Sequence, residues 1–86
     1  MKLIELMDCE ALKDKAVLRL DYDVKNKNWT AYLTRTTVDN DFPCGVGLTP
    51  GAAMDQLCNR IRGLTLEIDA FYKDRSEIQI PMNLTV

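Results

Sequence analysis

Residues able to do chemistry are few in this chain, and they are thinly spread. Histidine is absent, so a nucleophilic cysteine or serine would lack its usual base. The three cysteines, Cys9, Cys44 and Cys58, have the spacing of neither a zinc site nor a thioredoxin-like motif. Each falls on an apolar phase of its segment, which fits buried structural thiols in a reducing compartment. Cys44 lies just ahead of a predicted helix start, where the helix dipole would favour a thiolate, yet it is in phase with Phe42 and Val46 and reads as a core thiol. Carboxylates pair as Asp21 with Asp23, Asp39 with Asp41, and Glu67 with Asp69. Residues two apart on a strand share a face, so Asp21 and Asp23 could hold one cation, but a lone Asp-x-Asp is too small a ligand set and reads as solvent-facing charge. Gly45-Val46-Gly47-Leu48-Thr49-Pro50-Gly51 has the setting of a phosphate-binding loop. Its last glycine comes one position too late for the dinucleotide fingerprint, and no Lys-Ser/Thr pair follows, so it reads as a tight strand-to-helix joint. No catalytic, cofactor-binding or metal-ligating residue is assigned, and no cofactor is expected.

The elements around these residues follow from apolar periodicity. Leu18, Leu20, Tyr22 and Val24 alternate with Arg19, Asp21 and Asp23, the pattern of a strand with one wet face. Lys25-Asn26-Lys27-Asn28 is a polar turn, and Trp29 to Val38, rich in aromatic and β-branched residues, is the partner strand. After a second turn at Asp39-Asn40-Asp41, a third strand runs over residues 42–48 and completes an antiparallel meander. Thr49 is a good N-cap and Pro50 suits the first helical position. Met54, Leu57, Cys58, Ile61, Leu64, Ile68, Phe71 and Tyr72 then recur at helical spacing, so a long helix to Tyr72 is the favoured cover for the sheet. A rival pattern is present in the same residues: Leu64, Leu66, Ile68, Ala70 and Tyr72 also alternate, and Gly63 would make a normal helix stop. Ile78 to Val86 alternates again, and Pro81 within it restricts the segment to a sheet edge or to a crossing onto another chain.

With 86 residues, 47% of them hydrophobic and 28% charged, the chain is expected to be one ordered domain spanning residues 1–86. A formal charge of -2 and an isoelectric point near 4.9 supply no general attraction to a phosphate backbone. Arg60, Arg62, Lys73 and Arg75 are interleaved with Asp55, Glu67, Asp69 and Asp74, so direct nucleic-acid binding is not expected. The first ten residues, MKLIELMDCE, contain acids and no long apolar run. Neither a signal peptide nor a membrane anchor is read there, and a cytoplasmic location is inferred.

The run Gly47-Leu48-Thr49-Pro50, with Ala53 and Met54 four and five residues after the threonine and Pro43-Cys44 before it, resembles the G-x-T-x-E-E-A-hydrophobic signature of HicB-like proteins. Trp29-Thr30-Ala31-Tyr32 is similar to that family's central strand. The resemblance covers residues 16–72 and implies a partial ribonuclease-H-like fold whose third strand feeds a covering helix. It further implies an antitoxin-type protein that binds and blocks a small RNA-cleaving toxin, or one of that family's relatives in phages and prophages. Gly51 and Ala52 stand where the family carries an acidic pair. With the sequence ending at Val86, a separate DNA-binding domain is not expected.

The combined expectation is an α+β domain, a three-stranded antiparallel meander covered by one long helix, with a C-terminal edge strand. Its function is expected to be that of a non-enzymatic interaction module, HicB-like and homodimeric, that occludes a protein partner such as a toxin. Two alternatives are a phage-encoded inhibitor of a host defence nuclease and a small metal-dependent hydrolase. The candidate partner-binding residues are Arg60 and Arg62 on the helix and Ile80, Met82, Leu84 and Val86 on the C-terminal strand.

Overall fold

A computed structural model of the protein describes residues 1–69, 73 and 75–86. Its elements are helix α1 (Leu3–Met7), strands β1 (Leu18–Asp23), β2 (Asn28–Leu33), β3 (Thr36–Thr37) and β4 (Cys44–Gly47), helix α2 (Pro50–Ile61), and strands β5 (Thr65–Ile68) and β6 (Ser76–Gln79). The expected α+β class and the antiparallel meander are both present: one sheet has the order β1-β2-β4, with Leu20 opposite Ala31 and Ala31 opposite Gly45. The β1–β2 turn is closed by Asp23, whose carboxylate accepts hydrogen bonds from the Lys25 and Asn26 amides at 3.0 and 3.2 Å and from the Asn26 side chain at 2.8 Å. The Asn26 amide, and then its side chain, hold the Asp23 carboxyl below its ordinary pKa. Such a group favours the folded turn above the ordinary carboxylate range and loses that preference as pH falls through its lowered value.

The partner strand is shorter than expected. It leaves the sheet after Leu33, because Arg35 adopts a left-handed backbone (φ 61°) and redirects the chain. Thr36 and Thr37 then pair with β5 in a second sheet of order β3-β5-β6. At that corner the Arg35 guanidinium grips the Asp69 carboxylate through two bonds, at 2.7 and 2.9 Å, while the Asp69 amide donates to the Arg35 carbonyl at 2.9 Å. Asp69 is only 5% exposed, so this bidentate pair supplies the hydrogen bonds that its burial demands. Asp39 and Asn40 both have positive φ, and Val38 and Asp41 exchange amide-to-carbonyl bonds across them at 2.8 and 2.9 Å. This is the two-residue turn geometry in which asparagine and aspartate are tolerated.

Helix α2 begins as the sequence predicts: Thr49 is the N-cap, its hydroxyl accepting the Ala52 amide at 3.1 Å, with Pro50 at the first helical position. It does not run to Tyr72. The helix stops at Ile61 after 12 residues, and Gly63 takes a left-handed conformation (φ 76°) that ends it. Residues 65–68 form a strand, with Leu66 and Ile68 fully buried and Thr65 facing solvent. The alternating pattern prevails because it has strand partners on both sides and puts Leu66, which a continuous helix leaves off its stripe, into the core. Phe71 and Tyr72, the last positions of the expected stripe, lie outside the described residues.

The C-terminal segment also differs from expectation. An edge strand is present, but it is β6, Ser76–Gln79, and it ends two residues before Pro81. Beyond it Ile80 and Leu84 turn into the core, and Thr85 exchanges backbone hydrogen bonds with Leu3 (2.7 Å) and Met1 (2.8 Å). Leu3, Leu6 and Leu12 from the N-terminal arm join Leu57, Ile61, Leu66 and Ile68 in the same core.

Contact between α2 and the first sheet is unusually close at one place. A Cβ on Gly45 would collide with the helix backbone at Ala53 and Leu57, and one on Gly47 with the backbone at Ala52 and Ala53. Strand β4 thus meets the helix with no side chain between them. Gly51, one position inside the helix, has open space around it. Gly45→Ala is expected to destabilise the fold by about 1–3 kcal/mol or more through overpacking, whereas Gly51→Ala raises stability by up to about 1 kcal/mol. Urea unfolding followed by circular dichroism checks both; equal effects at the two sites would contradict this packing.

Candidate interaction surface

The candidate site is built from the backbone directions of the first sheet. The Val46 amide donates to the Gln56 side-chain oxygen at 2.7 Å, and the Arg60 guanidinium donates to the Cys44 carbonyl at 2.9 Å. Both backbone groups belong to the outer edge of β4. Gln56 and Arg60 are one helical turn apart, so α2 lays two side chains along that edge and occupies its bonding groups. A strand edge covered in this way is protected against pairing with another chain.

Among the described residues, the opposite edge has no such cover. Since Val46 and Cys44 point outward, Ala31 and Trp29 on β2 bond toward β4, and Thr30 and Tyr32 bond toward β1. On β1 the groups of Arg19 and Asp21 therefore face β2, and those of Leu18, Leu20 and Tyr22 face away from the sheet. The bond from the Thr34 amide to the Val17 carbonyl, at 2.9 Å, has the parity this requires. No hydrogen bond from another described element reaches the outward groups of Leu20 and Tyr22. Residues 18–22 contain no proline, glycine or lysine of the kind that guards an edge.

Side chains on this flank are apolar as well. Leu20 and Tyr22 project from the helix-bearing face of the sheet but are 37% and 49% exposed, because α2 packs mainly on β4 and β2; Val24, in the turn that follows, is 78% exposed. Tyr22 meets Trp29 edge-on, with ring centroids 5.2 Å apart. Beside them an apolar groove of about 530 Å³ opens between α1, β1 and α2, lined by Leu3, Ile4, Met7, Leu18 and Met54, with Lys2 and Val86 also on its wall. Groove and edge meet at Leu18, giving one continuous apolar strip.

The other face of β1 carries Arg19, Asp21 and Asp23. The Tyr32 hydroxyl donates to one oxygen of Asp21 at 2.9 Å, and that bond raises the Tyr32 pKa. Asp23 serves the turn, so the Asp21–Asp23 pair is divided between two local tasks. Asp69 is engaged by Arg35, and Asp39 and Asp41 lie in an exposed turn. Among the described residues no group of three or more cysteine, aspartate or glutamate side chains is placed to hold a metal ion. Burial pushes the Cys58 thiol up, and Cys44 Sγ lies 3.7 Å from the Arg60 guanidinium. Among the described residues no helix is long and apolar enough to cross a membrane.

The residues expected to bind a partner are dispersed. Ile80 and Leu84 are core residues, 1% and 0% exposed, and cannot present a surface in this fold. Met82 is exposed but packs against Gly63, leaving no space there for a side chain. Val86 alone of the set borders the groove. Arg60 guards the β4 edge, and Arg62 donates from Nε (2.8 Å) and Nη2 to the Leu84 carbonyl while Nη1 bonds Asn59 at 2.6 Å. Both arginines are thus fastened to the chain's own backbone. The sequence carries a signal for this strip in the Leu18-Leu20-Tyr22-Val24 alternation, which marks an apolar face but does not say how far a helix reaches across it.

No protein-family model matches the chain, and neither a curated protein nor a solved structure matches it.

Because Arg62 satisfies the carbonyl of the buried Leu84 whereas Arg60 lies at the surface, Arg62→Ala is expected to cost about 1–3 kcal/mol and Arg60→Ala less than about 1 kcal/mol. Urea midpoints for the two variants make the comparison; a larger loss at Arg60 would contradict the assignment.

Proposed function

We propose that the protein is a non-enzymatic interaction module, HicB-like in type, that binds and occludes a protein partner such as a small RNA-cleaving toxin by adding an extended segment of it to the β1 edge. The observation that carries this reading is the asymmetry of the first sheet. Its β4 edge is sealed by Gln56 and Arg60, while among the described residues its β1 edge is open along Leu20 and Tyr22 and runs into the apolar groove. An added strand gains main-chain hydrogen bonds from such an edge, and alternate side chains find pockets beside it. Leu3, Met7, Leu18 and Met54 supply the apolar walls of that pocket. The HicB-like element of the reading is supported by the Gly47-Leu48-Thr49 joint, with Thr49 capping α2, and by the meander that the helix covers.

The test uses the full chain, immobilised sparsely, to select from a random peptide library of about ten residues, long enough to lie along one strand. Selected peptides are expected to alternate apolar and polar residues. Leu20→Pro, which removes an outward amide without touching the β2 ladder, is expected to lower their affinity at least about tenfold, and Val46→Lys to leave it unchanged. Selection of helical peptides, or binding that survives Leu20→Pro and is lost in Val46→Lys, would overturn the proposal.

A further inference from the structure

The open edge has a property that selects its occupant. Its side chains are self-complementary about Leu20. When two identical strands pair across a two-fold axis they run antiparallel, and the outward groups of Leu18, Leu20 and Tyr22 must face each other. That parity leaves four central registers, and the one centred on Arg19 sets that guanidinium against its own copy. Centred on Tyr22, the pairing sets Asp21 against Asp23 and Arg19 against Lys25, which repel. Centred on Asp21, it sets that carboxylate against its own copy, and Arg19 meets Asp23, both of whose carboxylate oxygens already serve the turn. Centred on Leu20, it sets Arg19 against Asp21 twice, on the polar face, at the non-hydrogen-bonded positions where side chains approach most closely. The same register places Leu20 on Leu20 and Leu18 on Tyr22 on the apolar face. Asp21 accepts the Tyr32 hydroxyl through one carboxylate oxygen, and Arg19 of the same strand acts on that hydroxyl too, so both charges lie together on the polar face.

We propose that a second copy of this chain occupies the β1 edge, paired antiparallel about Leu20, with reciprocal Arg19–Asp21 ion pairs on one face of the sheet and a Leu18-Leu20-Tyr22 cluster on the other. This rests on the reading of β1 as a strand-accepting edge: a second copy holds the edge in the free protein, and a partner's extended segment competes with that copy for it. Other edges fit a copy less well: β4 is sealed, and β6 is short and runs toward Pro81. Two three-stranded sheets join into one of six strands. Because the axis is perpendicular to the sheet, both α2 helices and both grooves lie on the same face. The exposed Leu20 and Tyr22 are covered, and each groove, at Leu18, borders the Tyr22 ring of the other copy.

Charge exchange tests the register. An edge of five residues makes a small interface, so the wild-type chain is expected to dimerise with a dissociation constant roughly in the micromolar range by sedimentation equilibrium. Arg19→Asp and Asp21→Arg each create like charges at both cross-strand positions and are expected to weaken association at least about tenfold. Mixing the two variants restores every pair and is expected to return wild-type affinity as a heterodimer, as is the double variant Arg19→Asp/Asp21→Arg with itself. Single variants that dimerise like wild type, or a mixture that stays monomeric, would overturn the proposal. A wild-type chain that is monomeric at every concentration yet still selects extended peptides at β1 would overturn the second copy and leave the interaction module standing.

Discussion

The structure depends on the absence of side chains at two positions of β4. Gly45 and Gly47 let the backbone of α2 settle onto the strand, closer than any Cβ would permit. A helix held that near one edge of a three-stranded sheet cannot also cover the other edge. The consequences run in one direction. Gln56 and Arg60 come within reach of the β4 backbone and close it, and the apolar face of β1 is left in the open. The surface proposed to take a partner is thus the counterpart of a packing decision made on the far side of the sheet.

Local chemistry made much of this fold legible. The Thr49-Pro50 helix start, the turns at Lys25 and Asp39, and the three strands of the meander each follow from residues that act within a few positions of themselves. What was not legible is non-local. Leu64 to Ile68 satisfy helical and strand spacing equally, and the decision came from strands on either side, one of them only two residues long and reached through a left-handed arginine. Likewise Ile80 and Leu84 share their alternation with Met82 and Val86, yet Pro81 breaks the strand and sends the first pair inward. For the surface itself, the alternation on β1 announces an apolar face but not whether anything covers it.

The second sheet serves as a brace more than as a surface. The Arg35–Asp69 pair joins the corner after β2 to the end of β5, and Arg62 fastens the C-terminal segment to the end of α2 through Leu84. Both contacts occupy basic side chains that a reading of charge alone would offer to a partner. With those arginines committed to the chain's own backbone and carboxylates, the proposed interaction draws instead on backbone groups and apolar side chains of the β1 flank.

The central claim, one sheet edge closed and the other open, is tested most directly by residue-resolved amide hydrogen exchange across a dilution series. In dilute protein the Leu20 and Tyr22 amides are predicted to exchange freely while Arg19, Asp21 and Val46 are protected, and the Leu20 and Tyr22 amides are predicted to gain protection as concentration rises. Leu20 and Tyr22 amides that stay protected at every dilution, or a Val46 amide that exchanges as fast as they do, would contradict it.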